Sequence, residues 1–217
     1  AADPAAAARR MAARWDLAGP TLAVVSACAT GGFVLSRARS LLAEGRADVV
    51  LCGAADASIR PLILGSYRKL GLLAPTDRKP EEVCRPFSAD RAGFYVGEGA
   101  AALVLCRRST VETLGVAAKA CLASCAEGAF ATDLTTVPTD GRDLARIIAQ
   151  ALGRAGLTPQ DVDLAALHGT ATRDGDANEA VAMQLVFGSR ASQVACLATK
   201  WLHGHLLGAA SAVETVL

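Results

Sequence analysis

The sequence predicts an α/β fold, and three observations carry that reading. Short apolar runs rich in Val, Leu and Ala, at 22–26, 47–52, 100–106, 162–167 and 193–198, have the length of buried strands. Segments of helical spacing alternate with them, and glycines stop several: 33–44 before Gly45, 62–70 before Gly71. The composition agrees. Hydrophobic residues make up 52% but aromatics only 4%, so the core is built from Ala, Val and Leu, which suits close packing of helices on sheets.

In chain order, the first twenty residues are Ala-rich with Arg9, Arg10 and Arg14 and predict a helix ending near Gly19-Pro20. They lack the apolar core and cleavage site of a signal peptide. Thr21 to Gly32 is the stretch that organises the chain. Leu22–Ser26 reads as a buried strand and 33–44 as a helix, so Cys28 sits where a strand turns into a helix. Backbone N–H groups and the helix dipole there favour a thiolate. On this stretch alone, a nucleophile and a small buried hydrophobe are both open readings. With the run at 47–52, strand, helix and strand predict a right-handed parallel βαβ unit.

A helix follows over 62–70, then a charged, proline-bearing surface loop over 75–85. The segment 85–99 is irregular and glycine-rich, and leads into the strand at 100–106. The run 116–126 reads as extended. Leu144, Ile147, Ile148, Ala151 and Leu152 mark a helix that starts at Thr139-Asp140 and ends at Gly153 or Gly156. Thr158-Pro159 caps one brief turn. Strands at 162–167 and 193–198 flank a helix over about 178–187, and a last helix begins after His205. No linker or internal repeat is evident.

Several function classes are excluded. Twenty-two basic and 21 acidic residues are interspersed, so no basic field for nucleic acid exists. No apolar run approaches the roughly 18 residues that span a bilayer. Seven cysteines, an odd number scattered singly, predict reduced thiols in the cytoplasm rather than a disulfide framework. Cys121 and Cys125 lack a second pair of metal-type ligands and read as core, so no metal site is expected.

Three predicted strand ends carry reactive side chains: Cys28, His168, and the pair Lys200 and His205. All three histidines of the chain (His168, His203, His205) follow predicted strands, and ligands bind at the carboxyl ends of strands in open α/β sheets. Cys, two His and a Lys suit thioester chemistry. A thiolate holds an acyl chain covalently, neutral imidazoles stabilise an enolate oxygen, and a buried ammonium tunes a histidine. Glu214 could partner that lysine; a plain surface Glu is the other reading.

The stretches Ser26-Ala-Cys28-Ala-Thr-Gly, Arg85-Pro-Phe-Ser-Ala-Asp-Arg-Ala-Gly-Phe-Tyr-Val-Gly-Glu-Gly-Ala, His168-Gly-Thr-Ala-Thr with Gly175-Asp176 and Glu179, and Lys200-xxxx-His205-Leu-Leu-Gly-Ala-Ala together resemble the elongating β-ketoacyl-acyl-carrier-protein synthases of the thiolase superfamily. The resemblance implies a thiolase-like α-β-α-β-α layered fold and a Cys-His-His site. Cys28 would take the acyl group from acyl carrier protein. His168 and His205 would promote decarboxylation of malonyl-carrier-protein, with Lys200 supporting His168 and Glu214 behind it. Thr170 and Thr172 match threonines that hold the phosphopantetheine arm. Phe94 matches a position near the acyl pocket, with a plain core aromatic as the alternative. No cofactor is implied beyond the carrier's phosphopantetheine, and the expected assembly is a homodimer or a ketosynthase heterodimer.

The match has departures. Trp201 and His203 stand where the family has small or polar residues, and His203 reads as a bystander. Ala171 stands where Gly is commoner. Residues 1–217 read as part of a single ketosynthase domain, with a nucleophile-bearing half over about 1–107 and a His/Lys-bearing half over about 108–217. Both an N-terminal portion and a C-terminal end of the family domain have no match, so the expectation is an incomplete domain. Two other functions compete: a non-catalytic partner subunit, and a cysteine hydrolase, for which nothing positions a water.

Overall fold

The computed structural model describes residues 3–75, 77, 79–132 and 137–217. The elements, in chain order, begin with helices α1 (Ala6–Arg14) and α2 (Thr30–Ala43), strand β1 (Val49–Asp56), and helices α3 (Pro61–Lys69) and α4 (Pro80–Val83). Strand β2 (Gly99–Cys106) and helices α5 (Arg108–Leu114) and α6 (Arg142–Ala155) come next. Strand β3 (Leu164–Ala166), helix α7 (Arg173–Phe187), strand β4 (Ala195–Leu197) and helices α8 (Lys200–His203) and α9 (Ala210–Val216) complete the order. The chain forms two compact units, Ala1–Asp56 with Gly99–Leu122 and Leu207–Leu217, and Ala57–Glu98 with Ala123–Leu206.

In the first unit β1 pairs antiparallel with β2, from Val49 opposite Cys106 to Asp56 opposite Gly99. Helix α2 lays Leu35 and Ala38 onto Cys52, and Val50, Leu103 and Leu105 close this small core. Its buried positions, Gly31, Leu35, Ala38, Leu41 and Leu42, follow the helical period. At its N-terminal end α2 crosses α9 so closely that a Cβ on Gly31 would collide with the Ala212 backbone. Glycine is there for close approach.

The predicted parallel βαβ unit over 22–52 is corrected. Residues 21–26 join no strand among the described residues, and Leu22 and Val25 are exposed. An apolar run becomes a strand only where another backbone pairs with it, and β1 takes its partner from β2 instead. The extended run 116–126 likewise forms no strand, which leaves Cys121 exposed and Cys125 half-buried rather than in a core.

In the second unit β3 and β4 pair in parallel, Leu164 opposite Ala195 through Ala166 opposite Leu197, with α7 between them in the chain. Met183 and Phe187 of α7 pack on Val194, with Val162, Ala165 and Leu167 around them. Helix α6 ends at Gly156, as its spacing predicts. Helix α7 starts five residues before the predicted 178. Gly175 weakens the apolar pattern there, but Asp174 and Asp176 suit the positive end of the helix dipole. A second core joins Cys84, Phe94 and Ala171. The predicted surface loop 75–85 therefore has a buried end: it contains α4, and Val83 and Cys84 are buried. Residues 76 and 78 of that loop lie outside the described residues. Among the described residues, no helix is long and apolar enough to cross a membrane.

Candidate active site

Cys28 lies in a single 3-10 turn, Ala27–Ala29, that runs directly into α2. Ala27 has φ 44°, a left-handed conformation that costs a non-glycine residue of order 1 kcal/mol. Thr30 closes the turn: its Oγ1 accepts the Ser26 N–H at 2.8 Å and donates to the Ala27 carbonyl at 2.8 Å. Ser211 of α9 receives the Gly32 N–H at 3.0 Å. Cys28 thus sits in the expected turn into a helix, but the strand expected before it is absent among the described residues, and the cysteine is half-buried. No disulfide forms among the seven cysteines. Glu214 lies half-buried on α9.

In the second unit the loop His168–Thr172 follows β3 and is held by side chains from elsewhere, Arg91 among them through the Thr172 carbonyl at 3.3 Å. Glu179 of α7 accepts the N–H groups of His168 at 2.6 Å and Gly169 at 2.9 Å. Lys200, wholly buried at the start of α8, donates its ammonium to the His168 carbonyl at 2.6 Å. The backbone of His168 is thus gripped on both sides. Asp176, also buried, accepts the N–H of Ala171 at 3.1 Å and that of Phe87 at 2.6 Å. Arg91 approaches the same carboxylate at 3.6 Å and donates to the Arg173 carbonyl at 2.7 Å. Through these contacts the irregular segment 85–99 is tied to the histidine loop. Ala171 has φ 59° and no exposed surface, a left-handed conformation that glycine would adopt without steric cost.

His205 follows α8 with its backbone in a short parallel bridge to Val96: its N–H donates to the Tyr95 carbonyl at 2.6 Å and its carbonyl accepts the Gly97 N–H at 2.9 Å. Its ring stands edge-on to His168, with centroids 5.2 Å apart and planes at 83°. Phe94 meets the same ring edge-on at 4.9 Å and is itself buried. Phe94 is therefore at once a core aromatic and a wall against His205. Thr170 and Thr172 share a hydroxyl–hydroxyl bond of 2.9 Å.

Both rings resist protonation. Burial of the ring among its neighbours, then the Lys200 charge, takes His168 from 6.5 down to about 4, although by surface area the residue is exposed. Burial, then the neighbouring His168, Lys200 and His203, takes His205 down to about 2. At neutral pH both imidazoles are neutral and each can donate one ring N–H. Burial also raises Glu179, against its two backbone hydrogen bonds and the attraction of Lys200.

The structure brings His168, Lys200, His205 and Phe94 together in one unit, with Thr170 and Thr172 on the same loop. The roles of Asp176, Glu179 and Arg91 were not read from the sequence. One signal existed: Asp176 and Glu179 are three apart on a helix, hence on one face.

The model "Beta-ketoacyl synthase, N-terminal domain" matches residues 1–111, and "Beta-ketoacyl synthase, C-terminal domain" matches residues 120–217. The chain belongs to the β-ketoacyl synthase family. Nodulation protein E of Rhizobium leguminosarum bv. trifolii is 38% identical over 213 residues, covering 98% of this chain and 51% of that protein. The mitochondrial 3-oxoacyl-[acyl-carrier-protein] synthase of Arabidopsis thaliana is 36% identical over 206 residues, 94% of this chain and 45% of that one. Among solved structures, a type II PKS acyl-carrier protein in complex with its ketosynthase bound to the hexaketide matches with a TM-score of 0.94 at 33% identity, over 98% of this chain and 52% of that chain. The fold is the thiolase-like fold of the β-ketoacyl synthases, as the motifs imply. This β-ketoacyl synthase chain spans about half the length of the curated relatives it matches.

Proposed function

We propose that the protein carrying this chain performs decarboxylative condensation, with Cys28, His168, Lys200 and His205 as its reacting and supporting groups. The observation that carries the reading is the pair of neutral imidazoles set edge-on beside a buried lysine. The Cys28 thiolate attacks the carbonyl of an acyl-carrier thioester and expels the carrier's phosphopantetheine as a thiolate, which takes its proton from solvent. Malonyl-carrier-protein then loses carbon dioxide, and the electron pair left behind forms an enolate. N–H groups of His168 and His205 stabilise its oxygen. The enolate carbon attacks the Cys28 thioester, the Cys28 thiolate leaves, and 3-oxoacyl-carrier-protein results. Neutrality of both rings supports this, because a neutral imidazole keeps one N–H to donate while placing no second positive charge beside Lys200.

Lys200 acts through the carbonyl of His168 and through its charge; Glu214 is its more distant support. Thr170 and Thr172 hold the phosphopantetheine arm, and Phe94 borders the acyl chain. The residues form a single ketosynthase domain whose nucleophile-bearing portion is about 1–107 and whose His/Lys-bearing portion is about 108–217. Acyl carrier protein is the partner, a second ketosynthase-type subunit completes a dimer, and no cofactor is needed beyond the carrier's own arm. Unbridged cysteines support a cytoplasmic, reducing setting.

Incubating the natural protein that carries this sequence with an acyl-carrier thioester, followed by mass spectrometry, tests the assignment. An acyl adduct on Cys28, lost in Cys28→Ser and kept when Cys52 or Cys106 is changed, is expected. An adduct on a different residue refutes it. Carbon dioxide release from malonyl-carrier-protein separates the enzyme from a non-catalytic partner subunit.

A further inference from the structure

One residue near the site has no part in the proposed reaction yet spans two residues that do. His203 sits at the end of α8, half-buried between Lys200 and His205. Its Nδ1 lies 2.7 Å from the Gly204 carbonyl and its Nε2 lies 3.0 Å from the Thr199 hydroxyl. A carbonyl only accepts, so Nδ1 carries the proton, and the neutral ring then accepts the Thr199 O–H at Nε2. Both nitrogens are satisfied in that one tautomer. The Gly204 carbonyl belongs to the peptide that leads into His205, and the N–H of that same peptide donates to Tyr95 at 2.6 Å. The peptide is clamped on both edges, and the His203 ring is one of the clamps. Gly204 itself has φ 73° and ψ −178°, a conformation open essentially to glycine alone, so its peptide needs outside restraint.

We propose that His203 is a positioning residue: its ring links the Thr199 hydroxyl, one residue before Lys200, to the Gly204 carbonyl, one residue before His205, and so fixes the two site residues relative to each other. This rests on the condensing reaction proposed above. A shift of about 1 Å in a reacting group costs on the order of 100-fold in rate, so the strut is felt in turnover before it is felt in binding.

The test uses the natural protein and two readouts. His203→Ala should lower kcat for malonyl decarboxylation by roughly 10- to 100-fold with KM for the carrier-bound substrate changed less than about 2-fold. Thr199→Val, which removes the hydroxyl at the far end of the strut and leaves the ring in place, should lower kcat to a similar extent, and the double variant should fall no further. Histidine-selective 15N NMR should find wild-type His203 protonated at Nδ1 and not at Nε2. Wild-type kcat in His203→Ala, wild-type kcat in Thr199→Val, or an Nε2–H tautomer each overturns the strut. If the wild-type protein neither acylates nor decarboxylates, the proposed reaction fails, and the tautomer still decides the strut by itself.

Discussion

At the scale of single residues, the site is a set of groups kept neutral or charged by what surrounds them. An unfolded histidine titrates near 6.5, whereas folded His168 and His205 titrate near 4 and 2. Below pH 6.5 the unfolded chain takes up protons that the folded rings refuse, so stability falls as pH drops from about 6.5 toward 4 and lower. Above 6.5 neither ring contributes to the slope. Thermal melts at pH 7.5 and pH 5 should show a lower Tm at pH 5, and His168→Gln should shrink the difference. An undiminished difference in that variant would mean the His168 ring is not held neutral. The sequence pointed to His168, Lys200 and His205 because each follows a short apolar run. It could not assign Asp176 and Glu179 their backbone partners, since which N–H groups a carboxylate meets depends on the conformation of a loop that lacks any period.

At the scale of elements, the longer periodic helices were legible, whereas α4, α5, the end of α1 at Arg14 rather than near Gly19-Pro20, and the strand pairings were not. α2, α3 and α6 lie close to their expected bounds because a 3.6-residue period and a terminal glycine are local signals. The runs at 22–26 and 116–126 carry strand-like residues but find no ladder, and β1 pairs antiparallel with a strand some fifty positions away. The α2–α9 crossing gives a sharp test. Gly31→Ala places a methyl against the Ala212 backbone and should destabilise the protein by about 1–3 kcal/mol. Gly32→Ala meets nothing within 4 Å and should stabilise by up to about 1 kcal/mol through helix propensity. Denaturant midpoints for the two variants should therefore move in opposite directions; a common direction would contradict the close crossing.

At the scale of the whole molecule, much apolar surface faces outward. Leu62, Val25, Val104 and Leu202 are each at least 66% exposed, and Trp201 is 59% exposed. Expressed by itself, this chain should aggregate or self-associate, as light scattering after size-exclusion chromatography would register; a stable monomer that unfolds cooperatively would sink that expectation. The first unit is also discontinuous in the chain. Gly32 and Ser211, which hydrogen-bond across the α2–α9 crossing, are 179 residues apart. During synthesis the turn bearing Cys28 leaves the ribosome long before α9 exists to brace it. At about 5–20 residues per second, that interval lasts on the order of ten to forty seconds. Throughout it the thiol turn is an unfinished nascent structure. A chaperone that shelters the emerging N-terminal segment would thus influence the yield of folded protein more than one acting on later segments.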